Sequence, residues 1–379
     1  MKKIYLSPPH LSKHEKKYIL EAIKSNWIAP VGPFLDKFEK KISSYIGVEN
    51  ALCVTSGTAA IHLALKVLGV KKNDIVLCQN FTFIGSVYPI IYCNAKPVFI
   101  GSESESWNMC PKTLKNTILK LKKKNKTPKA IIVVHLYGMP AKMHEIKKIS
   151  KKFKIPIIED AAEALGSSIE NKKCGSFGDI GILSFNGNKI ITTSGGGAMI
   201  SNNRKYIDEA RHLSTQARDN FIYYEHSKIG YNYRMSNLLA AVGLGQMKVL
   251  DERVKARRKN FTYYKNIFKN LKKLNFLDER IEGPLKIHSN RWITTAVINE
   301  NNDAPDISQM VKLLDDKNIE IRPLWKPMNL QPILSQYQYY GTGLEEKIYN
   351  KGFCLPSGSN LSILDKKKIH TNLLKILNT

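Results

Sequence analysis

The stretch Ser184-Phe-Asn-Gly-Asn-Lys189-Ile-Ile-Thr-Thr-Ser-Gly-Gly-Gly197 puts one lysine in a turn of Asn and Gly. A β-rich segment precedes the turn and a glycine run follows it. An amine placed there stands at the carboxyl edge of a sheet, where α/β enzymes keep their chemistry. Such an amine can form a Schiff base with a carbonyl. The competing reading is one more surface lysine in a lysine-rich chain, so the choice depends on residues elsewhere.

Working outward, Ser184 lies in one of seven short apolar, β-branched runs. They span 51–55, 75–79, 97–100, 130–135, 156–159, 182–185 and 198–201. Helical patterns lie between most of them, for example 58–68, 83–93 and 144–153. Strands alternating with helices, and apolar almost throughout, indicate a mainly parallel sheet covered on both faces. After Asn237 the pattern changes. Residues 238–258 read as one long helix, with apolar Leu238, Val242, Leu244, Met247 and Leu250 on its repeat. A smaller αβ region follows, with strands near 292–298 and 319–321 and helices at 307–316 and 366–377. The polar segment 299–306 reads as a surface loop. The expected organisation is a large α/β domain over 1–245, with a seven-stranded, mainly parallel sheet, and a smaller C-terminal αβ domain over 246–379.

A chain of 379 residues, 43% hydrophobic, can bury two sizeable cores. No apolar run reaches membrane-spanning length, and the N-terminus lacks the apolar core of a signal peptide. The six cysteines show no metal-ligand spacing, which points to a reduced, metal-free, cytoplasmic protein. The net charge of +27 raises the question of nucleic acid. Its lysines are scattered and no recognition motif accompanies them, so neither a nucleic-acid nor a membrane partner is expected. The charge suits attraction of an anionic small molecule.

If the lysine holds pyridoxal 5'-phosphate (PLP), three other groups are required. They are an anion for the pyridine nitrogen, donors for the phosphate and a flat group against the ring. Asp160, in Ile157-Ile-Glu-Asp-Ala-Ala-Glu163, ends a buried-looking strand, where a carboxylate is costly unless paired. Its alternative role is a helix cap, with Glu163 closing a capping box. In the functional reading Glu163 stands near the ring hydroxyl or the substrate. Thr55-Ser-Gly-Thr-Ala-Ala60 joins a strand to a helix. Gly57 there allows close backbone approach, and the amides of Thr58 and Ala59 suit a phosphate. It is otherwise an ordinary glycine turn. Ser184 adds a hydroxyl donor. Phe83 is either a stacking group or core, and Asn232, in Gly230-Tyr-Asn-Tyr-Arg234, either binds an anion or orders its loop.

Taken together, Ser56-Gly-Thr-Ala-Ala60, His135-Leu-Tyr-Gly138, Glu159-Asp-Ala-Ala-Glu163, Ser184-Phe-x-x-x-Lys189 and Gly230-Tyr-Asn-Tyr-Arg234 resemble the DegT/StrS family of PLP-dependent sugar aminotransferases. The resemblance runs from about Leu6 to about Ser357. It is strongest towards the aminotransferases of bacterial UDP-N-acetylbacillosamine synthesis, through Leu6-Ser-Pro-Pro-His10, Asn26-Trp-Ile-Ala-Pro30, Ser214-Thr-Gln-Ala-Arg218 and Arg322-Pro-Leu-Trp-Lys326.

The resemblance implies the fold-type I architecture and a homodimer with shared active sites. It implies Lys189 as the Schiff-base lysine, Asp160 as pyridinium partner and Ser184, Gly57 and Thr58 as phosphate ligands. Phe83 takes the stacking position, Glu163 stands near the cofactor, and Asn232 reaches the phosphate of the neighbouring subunit. Asn26, Trp27, Ile28 and Ala29, with Arg322, Pro323, Leu324 and Trp325, match regions lining the nucleotide-sugar site. Asn329 departs from the His of many relatives.

The implied reaction takes the amino group of L-glutamate to the C-4 ketone of UDP-2-acetamido-2,6-dideoxy-4-keto-hexose, with Lys189 moving the proton in both halves. Other nucleotide-linked keto sugars, or a PLP-fold regulator without turnover, are the alternatives.

Overall fold

The computed structural model describes residues 2–269, 273–279, 285–299 and 306–378. All seven expected strands join one sheet. They are β1 (Asn50–Val54), β2 (Ile75–Gln79), β3 (Lys96–Ile100), β4 (Ala130–Val134), β5 (Ile157–Asp160), β6 (Ile180–Ser184) and β7 (Gly197–Ser201). The sheet has eight strands rather than seven, because β8 (Tyr339–Tyr340) pairs with β3 from the C-terminal part of the chain. The spatial order is β1-β7-β6-β5-β4-β2-β3-β8. Only β7 runs against its neighbours, β1 and β6. A two-residue strand carries almost no sequence pattern, which is why β8 escapes a reading of periodicity.

Successive residues of a strand face opposite sides of the sheet. Leu52 and Val54 pack with Val76, Ile132 and Met199 against the helices Gly57–Val67 and Arg204–Ser214. Ala51 and Cys53 pack on the other side with Leu183, Ala198 and Ile200, against the helices Pro33–Ile46 and Asn237–Met247. Leu77, Ile131 and Val133 continue that face against the helices Pro111–Lys122 and Met143–Phe153. Both faces are therefore covered, as the unbroken apolar strands require.

A second core surrounds a four-stranded sheet ordered Leu274–Phe276, Thr294–Ile298, Gly352–Leu355 and Arg322–Pro323. The helices Ile307–Asp315 and Ile363–Asn378 pack on it through Met310, Leu314, Ile369 and Leu373. Ile4 joins this core from the far end of the chain.

Several expectations need correction. The helix expected over 238–258 is two, Asn237–Met247 and Leu250–Ile267, with a break at Lys248 and Val249. The first is pinned to the N-terminal helices. A Cβ at Gly243 would lie 2.5 Å from the Phe38 ring, and one at Gly245 would lie 2.7 Å from the Glu15 backbone. Gln246 is buried and donates to Glu15 Oε1, so the second helix must depart at an angle to reach its own core. Residues 83–93 form a 3-10 turn, Ile84–Ser86, and a short helix, Tyr88–Tyr92. Pro89, which has no N–H, sits in the first turn of the second, where no hydrogen bond is lost. Residues 319–321 are not a strand; Ile319 makes a single bridge with Ile4, and the strand is Arg322–Pro323. Of the loop expected over 299–306, residues 300–305 lie outside the described residues.

Candidate active site

The strand ends converge on a cavity of about 260 Å³. Gly57, Thr58, Phe83, Asp160, Glu163, Ser184, Lys189 and Trp325 all line it. Residues from five separate stretches of the chain thus meet at one edge of the sheet.

Lys189 stands in the turn that links β6 to β7, its N–H donating to the Asn186 carbonyl. Its side chain is nearly buried, with Nζ 3.7 Å from Glu163 Oε1 and 4.1 Å from the centre of the Trp292 ring. The surface-lysine alternative is not realised.

Asp160 ends β5 and is 4% exposed. Ser86 Oγ donates to its Oδ2 at 2.7 Å, and the Ala162 N–H donates to its Oδ1 at 3.1 Å. No helix follows it, and Glu163 does not close a capping box. Glu163 Oε2 instead accepts the Tyr137 N–H at 2.6 Å, which holds Tyr137 in the left-handed region at φ 53°. Burial raises the carboxyls of both Asp160 and Glu163 above the ordinary range. Hydrogen bonds from Ser86 and Ala162 oppose the shift at Asp160 ahead of the Lys189 charge, and Lys189 leads the opposition at Glu163. A cation beside Asp160 would relieve that cost.

The turn after β1 provides the complementary end. Ser56 caps the helix Gly57–Val67, its Oγ accepting the Ala59 N–H at 3.0 Å. The Ala59 amide is therefore already committed, which corrects its expected role. The amides of Gly57 and Thr58 make no hydrogen bond among the described residues and open the helix at the cavity wall. Such a helix start suits a phosphate dianion.

Gly197 in β7 makes this turn possible, since a Cβ there would lie 2.4 Å from both the Gly57 nitrogen and the Ser56 carbonyl carbon. We expect Gly197→Ala to cost about 1–3 kcal/mol, because backbone has to move. Urea unfolding checks that loss, and a PLP titration of the cofactor-stripped protein should show weakened affinity.

Phe83 is 47% exposed and sits against Trp325 with ring centres 5.2 Å apart, so it is cavity wall rather than core. Tyr137 stacks on Trp325 at an interplanar angle of 16°, and its hydroxyl accepts the Trp325 backbone N–H at 2.8 Å.

Beside the cavity lies a groove of about 690 Å³, lined by residues that include Ser7, Pro8, Arg322, Pro323, Leu324 and Trp325. Asn188 and Trp325 belong to both spaces. Asn26, Trp27, Ile28 and Ala29 line neither and are exposed, as is Asn232. The structure of the single chain does not bring these five to the cavity. Asn329 also lines neither space, because its Oδ1 accepts from Asn80 Nδ2 at 2.7 Å.

Sequence reasoning missed Ser86, Tyr137, Asn188 and Trp292. Tyr137 lay inside a quoted motif without a role, while Trp292 carries no local signal because Lys189 is distant in sequence.

Among the described residues, His135, Glu159 and Cys174 are the group close enough to hold a metal. Their donors are already engaged. Glu159 accepts the N–H groups of Gly175, Phe177 and Gly178, and His135 Nδ1 accepts that of Ala141 at 3.0 Å. His135 Nε2 faces Glu159 at 2.8 Å, and the group knits β4 to β5 and the turn beyond.

A nearly buried amine, a buried carboxylate without an ion pair among the described residues and a phosphate-ready turn at one sheet edge fit PLP at both of its ends. This is the architecture of the PLP-dependent aminotransferases. The chain belongs to the DegT/DnrJ/EryC1/StrS aminotransferase family, whose model matches residues 9–374.

It is 48% identical to EpsN of Bacillus subtilis (strain 168), a protein assigned to the PLP-dependent aminotransferases, over 100% of this chain and 97% of that one. Identity to the GDP-perosamine synthase of Escherichia coli O157:H7 is 36%, over 96% and 95% of the two chains. Among solved structures, a DegT DnrJ EryC1 StrS aminotransferase from Brucella abortus matches with a TM-score of 0.88 at 26% identity, covering 97% of this chain and 96% of that one. Nucleotide-sugar aminotransfer with PLP as cofactor is the activity that follows.

Proposed function

We propose that the chain moves the amino group of L-glutamate to the C-4 ketone of UDP-2-acetamido-2,6-dideoxy-4-keto-hexose, giving UDP-4-amino-4,6-dideoxy-N-acetylglucosamine. The carrying observation is the shared wall of Asn188 and Trp325, which sets the groove directly beside the lysine cavity. A molecule with its sugar at Lys189 and its diphosphate in the groove would meet Lys326 and Arg322, the latter exchanging its ion pair with Glu320 for the diphosphate. The UDP and 2-acetamido assignments rest on the sequence resemblance at residues 6–10, 26–30 and 322–326.

Bound in the cavity, PLP supplies the electron sink for the carbanion, and the remaining work falls to the chain. Asp160 would face the ring nitrogen and favour its protonated form. Gly57, Thr58 and Ser184 would hold the phosphate, and Phe83 would cover one face. Lys189 Nζ would serve as the base and acid that takes the proton from the α-carbon of glutamate and, in the reverse sense, returns one to C-4 of the sugar. Trp325 and Phe83 narrow the entrance and limit water.

We place the reaction in a homodimer, with Asn232 and Asn26–Ala29 of one copy completing the site of the other. The exposed apolar side chains of Trp27 and Ile28, and separately of Phe221, Ile222 and Tyr224, support burial against a second copy.

The second reading is a GDP-linked 4-keto-6-deoxyhexose, favoured by the 36% identity to a GDP-perosamine synthase. Purified enzyme with glutamate and a panel of UDP-, GDP- and dTDP-4-keto-6-deoxy sugars separates the two by mass spectrometry. Preferred turnover of the 2-acetamido UDP sugar is expected, and preferred turnover of the GDP sugar overturns it.

A further inference from the structure

Arg257 is buried, 1% exposed, on the helix Leu250–Ile267, and it forms no ion pair among the described residues. Its Nε has no hydrogen-bond partner there. Burial first, and the charge of Arg253 second, pull its guanidinium down to about 9. A cation kept in that setting calls for a reason.

Its two remaining nitrogens join a closed ring of hydrogen bonds. One donates to the Trp292 carbonyl at 2.5 Å and the other to Ser7 Oγ at 2.9 Å. Ser7 Oγ then donates to the Asn188 carbonyl at 2.6 Å, and Trp292 Nε1 donates to the same carbonyl at 2.7 Å. Trp292 is fully buried, so its indole is locked with its face over Lys189 Nζ at 4.1 Å. One carbonyl, immediately before the lysine, therefore takes two donors that Arg257 ties together from behind.

We infer that Ser7, Trp292 and Arg257 are positioning residues for Lys189. They fix the Asn188–Lys189 turn and close one side of the amine, so that Nζ can approach a carbonyl only from the cavity. Ser7 also lines the groove, which ties the lysine's placement to the segment that would touch the nucleotide. The inference rests on Lys189 being the Schiff-base lysine.

The test uses cofactor-stripped protein and follows PLP capture by stopped-flow absorbance, with borohydride reduction and mass spectrometry to locate the bond. Ser7→Ala removes one donor to the carbonyl. Trp292→Phe removes the other and keeps an aromatic face. Each is expected to slow covalent capture about tenfold, because a misplaced nucleophile loses its near-attack geometry. The double variant should lose little more than the slower single, since both donors serve one carbonyl. Trp292→Leu should be slower than Trp292→Phe.

Capture within twofold of the parent in both single variants, at parental thermal stability, overturns the inference. Losses that multiply in the double variant also overturn it. Should the tryptophan variants fail to fold, Ser7→Ala decides alone. Lys189→Ala is the separate control, because a reducible bond formed elsewhere in that variant refutes the lysine assignment itself.

Discussion

Lys189→Ala is expected to lower transamination by on the order of 10⁴-fold or more, since the group that both holds the cofactor carbon and shuttles the proton is gone. The fold should survive. Lys189 sits in a turn, and among the described residues its amine makes an ion pair with Glu163 and lies over the face of Trp292. PLP should still enter, held by the Gly57–Thr58 turn and Asp160, but borohydride should fix no cofactor to residue 189. Both glutamate-driven bleaching at the enzyme's visible band and amination of the keto sugar check the result. Retention of either at the parental rate would refute the assignment. Glu163 would lose its opposing charge in this variant, so its carboxyl should titrate higher still.

Asp160→Asn is expected to cost about 10³-fold in turnover, in the range seen when one preorganised electrostatic partner is removed. A second readout runs in the opposite direction. The Asp160 carboxyl is raised by burial, so it binds its proton more tightly folded than unfolded. It therefore favours folding at pH below the unfolded carboxylate value. That contribution disappears as pH rises through the raised folded value. At pH above that raised value the cofactor-free protein carries a buried charge, offset by the Ser86 and Ala162 hydrogen bonds and, behind them, by the Lys189 charge.

Asparagine keeps an oxygen for the Ala162 N–H and can still pair with Ser86, yet carries no charge. Stripped Asp160→Asn should therefore gain in melting temperature over the stripped parent as pH rises through the raised carboxyl value, while PLP should raise its melting temperature by less. A structural aspartate would show the reverse, with a lower melting temperature in the stripped form. Scanning calorimetry with and without PLP separates the two.

Much of this site was legible because its residues sit at strand ends, where an apolar run stops and a chemically distinct group follows. Asp160 after Ile157-Ile158, and Lys189 after the 182–185 run, are of that kind. The sheet was legible for the same reason, since strands covered on both faces leave runs that stand out. Partnerships across long separations were not legible. Nothing near Trp292 or Ser7 in sequence refers to Lys189, and nothing near Ser86 refers to Asp160. The break at Lys248–Val249 escaped because both helices continue an acceptable helical pattern, and tertiary packing rather than propensity ends the first. Phe83 and Asp160 each had an ordinary alternative that only burial and partners could settle.

The eighth strand bears on how the molecule is made. Strand β3 lies inside the first third of the chain, yet its outer edge is covered by Tyr339–Tyr340 near the end. During translation that edge must wait, unpaired, until nearly the whole polypeptide has left the ribosome. An open parallel edge with Val98, Phe99 and Ile100 beside it is a surface to which another nascent chain can add. Truncations that stop before residue 339 would leave it open permanently, adding an exposed sheet edge to the loss of the C-terminal core.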